Sequence, residues 1–328
     1  MCKKSETVQV PSVSTLPASA TYRYAKSGGS VTSDGGAPVT AKGVIWCTCG
    51  NNGNVSLSTK TVDGQGTGSF NSYINGLIPN TGYYFKAYAT NSSGTGYGEA
   101  IYCKTAGFQL DSGLVGYWPF NGNANDPRIN GGGNGTVYGA ALTTDMAGNE
   151  NQAYYFDGSS YISVQSIPGF NFGMGDYSIS FWVLKNGTGR FQGIISKEIS
   201  SPYYTGWSLF FMDNRLSFNA GMVENANGWE VNGSFDASYP ADNSWHHVVV
   251  VFKPSGGEYD IFYDGSVYAF GGASAMFNPD NNGNLRFGVV YSTPDFNNLF
   301  MTGKIDNIRL YNRVLSNDEI AYLAAEKL

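Results

Sequence analysis

The chain has 328 residues, long enough for two ordinary hydrophobic cores, and a share of about 150 residues per domain suggests two domains. Charged residues make up only 13%, whereas aromatic residues reach 15% and glycine fills 44 positions. So aromatic a composition excludes disorder. Rings suit pleated surfaces and glycine suits tight turns, so the chain reads as all-β. The formal net charge is −6 and no basic run occurs, which excludes nucleic acid and anionic membrane surfaces as partners. The longest apolar cluster, residues 248–252, has the length of a strand and not the ~18 residues of a membrane span.

Taken in chain order, residues 10–105 give short strand-like runs separated by turn signals, at 21–24, 43–47 and, most clearly, 82–89. Asp34-Gly35-Gly36 and Asn91-Ser92-Ser93-Gly94 are turn clusters. This spacing predicts a β-sandwich of about seven strands. Residues 106–112 form a joint too short for a flexible tether. The second segment predicts strands at 114–118, 153–156, 161–164, 177–183, 207–211 and 245–252. A hairpin over 258–268 follows, reversed at Asp264-Gly265 by a two-residue turn of the primed type, and 303–311 is the last strand. One helix is expected at the end, capped by Ser316 with Glu319 completing a capping box, and with Ile320, Leu323 and Ala324 as a single apolar stripe.

Cys47 and Cys49 fall on one face of a strand, where neighbours rarely bridge. Either could approach Cys103, so connectivity stays open. No second pair or nearby histidine completes a zinc site. Buried free thiols are the expectation.

Ser33-Asp34-Gly35-Gly36, the run 39–44 and the stretch 76–91 with Leu77, Pro79, Thr81 and Tyr83 resemble a fibronectin type III-like module of bacterial surface proteins, spanning residues 10–106. Leu77 is expected to plug the core at a strand corner, Pro79 to stiffen the bend, and Tyr83 or Tyr84 to pack back on it. The cysteines at 47 and 49 depart from that pattern. Residues 113–328 resemble the laminin-G-like branch of the concanavalin A-like lectin/glucanase superfamily. The motifs are the run 113–126 beginning Gly113-Leu114-Val115-Gly116-Tyr117-Trp118, then Phe156-Asp157-Gly158 with Tyr161-Ile162, Trp245-His246-His247-Val248, Tyr263-Asp264-Gly265, and 303–316 around Ile305-Asp306-Asn307. The two resemblances imply an all-β chain: a fibronectin III-like sandwich, then a concanavalin A-like jelly-roll sandwich with one short C-terminal helix. That second fold hosts lectins, adhesins, enzymes and spacers alike. Cys2-Lys3-Lys4-Ser5-Glu6 resembles the start of a mature bacterial lipoprotein whose cysteine carries the lipid. Residues 1–9 are then a tether, the protein sits extracytoplasmically on the cell surface or outer membrane, and it meets the membrane only through Cys2.

Glycoside hydrolysis needs two carboxylates about 5 to 9.5 Å apart. Only Glu258 and Asp260 share a strand face, but Phe262 follows them and Asp264 falls in the turn, so they read as hairpin carboxylates facing solvent. His246 and His247 are the only histidines. As strand neighbours they point opposite ways and cannot hold one metal, so one is expected in the core and the other at the surface. No Gly-x-Ser-x-Gly elbow, Walker loop or dinucleotide fingerprint in strand–helix context occurs.

Residues 121–135 are rich in oxygen donors suited to calcium. The resemblance implies a structural Ca2+ held by Asp126 and Asp306, with Asn130 and the Gly133 carbonyl. The alternative is a loop that satisfies itself through Asx turns. Trp118, Trp182 and Trp245 read as core, whereas rings in polar stretches at 201–206, 224–230 and 291–296 suit sugar stacking. Tyr203, Tyr204 and Trp229, with Asn225 and Asn227, are the ligand-binding candidates. The expected function is non-catalytic binding of a glycan or glycoprotein, with the first domain as spacer. The alternatives are a glycoside hydrolase or polysaccharide lyase on the same sandwich, or a structural adhesin that binds protein.

Overall fold

In the computed structural model the described residues are 7–48, 59–128, 133–187, 189–199, 205–220, 222–225, 228–231, 234–240, 242–272, 278–290 and 299–326. The chain divides into two units, Met1–Gln109 and Leu110–Leu328.

The first unit holds two antiparallel sheets. In one, Ala25–Ser33 pairs with Ser12–Thr15, Ser19–Ala20 and Gly68–Ile74. In the other, Gly82–Asn91 pairs with Ala41–Cys47, Gly94–Tyr97 and Ile101–Lys104. Alternation sends Val31, Val44, Phe70, Ile74 and Phe85 into one core. Leu77 is buried in it, and the Tyr83 hydroxyl accepts the Ile78 N–H at 2.9 Å, closing the strand corner. Residues 21–24 are a turn and not a strand. Ser19 and Ala20 pair back on Lys26 and Ala25, so the residues between must make the reversal, and the Thr21 N–H donates to the Tyr24 carbonyl at 2.8 Å.

The expectation of free thiols is corrected at Cys47, which is disulfide-bonded; Cys49 lies outside the described residues. Cys103 is free and half-buried.

The second unit stacks two larger antiparallel sheets. One has seven strands in the order Gly135–Tyr138, Tyr161–Val164, Leu285–Phe287, Phe191–Ile199, Thr205–Met212, Arg215–Ala220 and Ser234–Ser238. The other runs Ala141–Thr143, Ala153–Asp157, Thr302–Tyr311, Tyr177–Lys185, Trp245–Lys253, Glu258–Tyr263 and Ser266–Gly272, and Leu114–Trp118 also pairs with Thr302–Tyr311. Trp118, Phe156, Phe181, Trp207, Phe211 and Phe287 fill the space between them. Each such side chain contributes about 1.5–3 kcal/mol on leaving water.

The apolar run of Trp245–Lys253 is continuous because both its faces are covered. Val248 and Val250 point into the inter-sheet core, while Val249 and Val251 pack with Phe262, Ile320 and Leu323 under the helix Asn317–Ala325. Both bonds of the Ser316–Glu319 capping box form, and Ile320 and Leu323 are fully buried. The hairpin turn has Asp264 at φ 49° and Gly265 at φ 81°, as the primed type requires. A Cβ on Gly265 would lie 3.1 Å from Ala321 Cα, so the helix rests on the turn.

Candidate functional site

On the seven-stranded sheet Ile162, Val164, Leu285 and Phe287 point into the core, so Tyr161, Ser163 and Arg286 point outward. The register extends this row. Thr136 stands opposite Ser163, which stands opposite Arg286, which stands opposite Ser196. One step away Tyr138 stands opposite Tyr161, and their rings stack with centroids 4.5 Å apart and planes 10° from parallel. Tyr138 is 48% exposed.

Toward the middle of the sheet the same outer face is filled. Ser196, Ser208 and Ser217 are buried there. The Ser196 hydroxyl donates to the Val289 carbonyl at 2.9 Å, and a Cβ on Gly193 would collide with the Val290 backbone. The short hairpin Val289–Val290 with Leu299–Phe300 therefore lies directly over the strand Phe191–Ile199.

Beyond Ser163 the outer row runs into a cleft of about 400 Å3 whose polar lining includes Gln165, Ser166, Asn171, Asn281, Asn282 and Asn284. Its walls are held in place. The Asn281 Nδ2 donates to the Pro279, Lys197 and Thr205 carbonyls at 2.9–3.3 Å, and its Oδ1 accepts the Gly283 N–H at 2.8 Å. Lys197, 1% exposed, reaches through the floor and donates to Asn171 Oδ1 at 2.7 Å and the Asn281 carbonyl at 2.6 Å. Burial pulls its pKa down to about 8, with the charge of Asp280 opposing. Asn284 donates to Ser163 Oγ at 3.1 Å, tying cleft to row.

A second polar cavity, about 230 Å3, lies elsewhere in the unit and is lined by Asp145, Asp306, Asn121, Asn149, Gln152 and Asn307 among others. Asp306 sits at a break in the register of the last strand, where Asn307 takes φ 48°. Its Oδ1 accepts the Asn307 N–H at 2.7 Å, while its Oδ2 is buried without a partner. Burial pushes its pKa up to about 7, against the pull of hydrogen bonding to Asn307, and the charge of Asp145 adds to the push. Asp145 accepts three bonds of 2.8 Å, from the Ala147 and Asn149 N–H groups and from Asn149 Nδ2.

Of the expected calcium ligands among the described residues, only Asp306 lines this cavity. Asp126 instead accepts the Tyr117 and Arg128 N–H groups at 3.0 and 2.8 Å, and the Gly133 carbonyl accepts the Trp118 indole N–H at 2.6 Å. Asn123 makes an Asx turn with the Asn125 N–H, and Asn130 lies outside the described residues. Sequence reasoning missed Asp145 and Asn149. The available signal was the spacing of Asp145 and Asn149 around Gly148, which takes φ 88°.

Both histidines are buried, which corrects the expectation that one faces the surface; their strand is covered on both sides. His247 pairs with Ser180 Oγ at 3.0 Å, and burial drives its pKa down to about 3, with Arg309 adding to the effect. His246 points the other way, with Nδ1 2.8 Å from Asp264 and Nε2 3.1 Å from Asp242. Burial lowers its pKa, but hydrogen bonds and charge from the two carboxylates outweigh this and raise it. Lys253 sits 2.8 Å from Asp260 and 3.7 Å from Glu258, so these carboxylates share one ammonium.

Tyr203, Tyr204 and Asn227 lie outside the described residues. Asn225 and Trp229 lie on the hairpin Met222–Asn225 with Gly228–Val231, whose side chains are also outside the description. Trp118 and Trp182 are buried and Trp245 is half-buried. Among the described residues no group of three or more His, Cys, Asp or Glu is placed to hold a metal ion.

Two stacked antiparallel sheets, with a final strand carrying Ile305-Asp306-Asn307 and a capped terminal helix, define a jelly-roll sandwich of the lectin and glucanase class. The family model described as the Concanavalin A-like lectin/glucanases superfamily, laminin G-like, matches residues 156–321, and the chain belongs to that family. No curated protein matches the chain. Among solved structures, the binding domain of Paraclostridial Mosquitocidal Protein 1 superposes with a TM-score of 0.51 at 18% identity, covering 66% of this chain and 52% of that one. The binding domain of Botulinum neurotoxin DC, solved with rat synaptotagmin II, gives 0.51 at 15% identity over 66% and 52%. A botulinum neurotoxin type C structure, from a toxin whose cell entry depends on two ganglioside molecules, gives 0.51 at 17% identity over 66% and 51%. This chain thus spans about half the length of those structures, and the likeness is one of fold.

Proposed function

We propose that the chain is a non-catalytic, extracytoplasmic binding protein for carbohydrate. The second unit carries recognition. The first, in our reading a fibronectin III-like module, is a spacer, and Cys2 is the point of lipid attachment. The observation that carries the binding role is the use made of the carboxylates. Among the described carboxylates, Asp126 is held by N–H donors, Asp242 and Asp264 by His246, Glu258 and Asp260 by Lys253, and Glu319 by Arg313 and its own cap, while Asp145 and Asp306 meet in the second cavity and not in the open cleft. Acid–base work on a glycosidic bond needs carboxylates free to face a substrate. The open cleft is instead lined with amides, a hydroxyl and the apolar Ile167 and Pro168. The ganglioside dependence of a fold relative is in keeping with such a role.

We also propose that a structural Ca2+ sits at Asp306, with Asp145 and neighbouring amide oxygens as further donors in place of Asp126 and the Gly133 carbonyl. The orphaned, buried Asp306 Oδ2 supports the fit, since a hard cation takes carboxylate and amide oxygens and would offset the two buried acids. The ion would hold the bulged last strand against the 145–149 turn.

A glycan array probed with the full chain tests recognition, and reducing-end release from polysaccharides tests the hydrolase alternative. Binding without release is expected. A blank array with capture of a protein ligand would favour the adhesin instead. For the metal, melting should rise on adding calcium and fall with chelator, and Asp306→Asn should abolish the difference. A melting curve indifferent to both treatments would remove the ion.

A further inference from the structure

The geometry points to a binding strip for a neutral oligosaccharide along the outer edge of the seven-stranded sheet, from the Tyr138–Tyr161 ring pair to the amide cleft at Gln165 and Asn281. The placement rests on the carbohydrate reading above and adds the location and class of ligand.

The strip is continuous because outward side chains recur at every second residue. Tyr161 and Ser163 lie on one strand face, and Gln165 lines the cleft just past the strand end. Four residues at about 3.4 Å each separate rings from cleft by about 14 Å, a length that suits several linked sugar rings and not a single one. Thr136 and Ser163 supply hydroxyls between the two ends, and Arg286 stands beside them with Nη1 held by the Asn284 and Glu198 carbonyls.

The chemistry is complementary to a sugar chain at both ends. Stacked rings, one of them half exposed, give a flat apolar platform for the C–H face of a pyranose. Amides carry both donors and acceptors, as sugar hydroxyls do. Among the described residues no ionisable side chain lines the cleft, and an uncharged ligand fits that lining. The cleft is also pre-organised. Lys197 fixes Asn171 and the Asn281 backbone from below, and four further bonds fix the Asn281 amide, so little side-chain freedom is left to lose on binding. The filled middle of the sheet face sets this edge apart as open surface.

The test is titration calorimetry of the full chain with neutral trisaccharides (cellotriose, xylotriose, mannotriose, maltotriose and N-acetylchitotriose), repeated for Tyr138→Ala and Gln165→Ala. Both side chains are exposed, so melting should confirm intact folds. Tyr73→Ala, which removes a 69% exposed ring from the first unit, is the control. We expect at least one trisaccharide to bind, with affinity about tenfold weaker in Tyr138→Ala, severalfold weaker in Gln165→Ala and unchanged in the control. Binding that both strip variants leave intact would overturn the placement while leaving the carbohydrate reading standing. Binding of acidic glycans only would overturn the neutral class. No binding to any saccharide, on the array or in the cell, would overturn both.

Discussion

His247 makes the second unit sensitive to mild acid, and the size of the effect follows from its surroundings. The ring is 1% exposed, lies 5.1 Å from the Trp182 ring, and has Nε2 on Ser180 while Nδ1 has no partner. Protonation would place a charge with one unsatisfied N–H in that site, close to Arg309. The pKa is accordingly depressed from about 6.5 to about 3. A group depressed in the folded state contributes stability above its unfolded pKa and loses it as pH falls through the window from 6.5 to 3. At pH 5 the loss is 1.5 pH units at about 1.36 kcal/mol each, or about 2 kcal/mol. For a domain of this size that amounts to about 4–8 °C in melting temperature. The assay is differential scanning fluorimetry of the full chain and of His247→Gln at pH 7 and pH 5. Gln keeps a polar partner for Ser180 but does not titrate. The wild type should lose about 4–8 °C more than the variant over that interval. Parallel shifts in the two proteins would refute the assignment of the acid sensitivity to this ring.

His246 carries the opposite sign. Its folded pKa is raised, so its contribution is complete below about 6.5 and disappears as pH rises through the folded value. The stability gap between wild type and His246→Gln should therefore be wider at pH 6 than at pH 9, read from urea midpoints at each pH. Ser316→Ala removes the hydroxyl that accepts the Glu319 N–H at 3.3 Å and should cost about 1 kcal/mol in chemical denaturation. Gly265→Ala puts a side chain at φ 81° against Ala321 and should cost about 1–3 kcal/mol, lowering the urea midpoint without altering the circular dichroism spectrum of the native state.

The strands that could be read from sequence are those whose rings and aliphatics are continuous or alternate cleanly: 114–118, 161–164, 177–183, 245–252 and 303–311 all form, most of them a residue or two longer than expected. Phe191–Ile199 was missed although it is among the most buried strands. Its sequence places Gln192, Lys197 and Glu198 at buried positions, and a register shift between Gly193 and Ile195 breaks the alternation. The run 21–24 failed for the reverse reason, because strand-favouring residues were recruited to a reversal fixed by pairing on either side. At the acid cavity Asp306 was readable as a motif residue, but its neighbour Asp145 comes from a turn 161 positions earlier, and no local pattern connects them. The amide cleft did leave a trace in the run Asn278, Asn281, Asn282 and Asn284, yet only the fold shows that it meets Gln165 and Asn171.

The position of the proposed strip follows from how the sandwich disposes of its outer surface. A sheet of seven strands presents a broad face, and small side chains such as Ser196, Ser208 and Gly193 let a hairpin settle on its centre. That covering turns the face from an open trough into a rim. The rim strand Gly135–Tyr138 is only four residues long, ended by Gly139 at φ 77°, which limits edge-to-edge pairing with another chain. Along this edge, what stays accessible among the described residues is a narrow line of side chains, touching one side of a ligand instead of enclosing it. A one-sided contact buries little surface and leaves the ligand exchanging rapidly, so single-site affinity is modest by construction. On a surface carrying many copies, binding to a repeating glycan gains from effective concentration, by factors that reach about 10²–10⁴ for linked sites. Immobilised chain should therefore retain polymeric ligand far longer than free chain retains the trisaccharide. Equal retention would mean that the contact encloses its ligand, against the rim geometry.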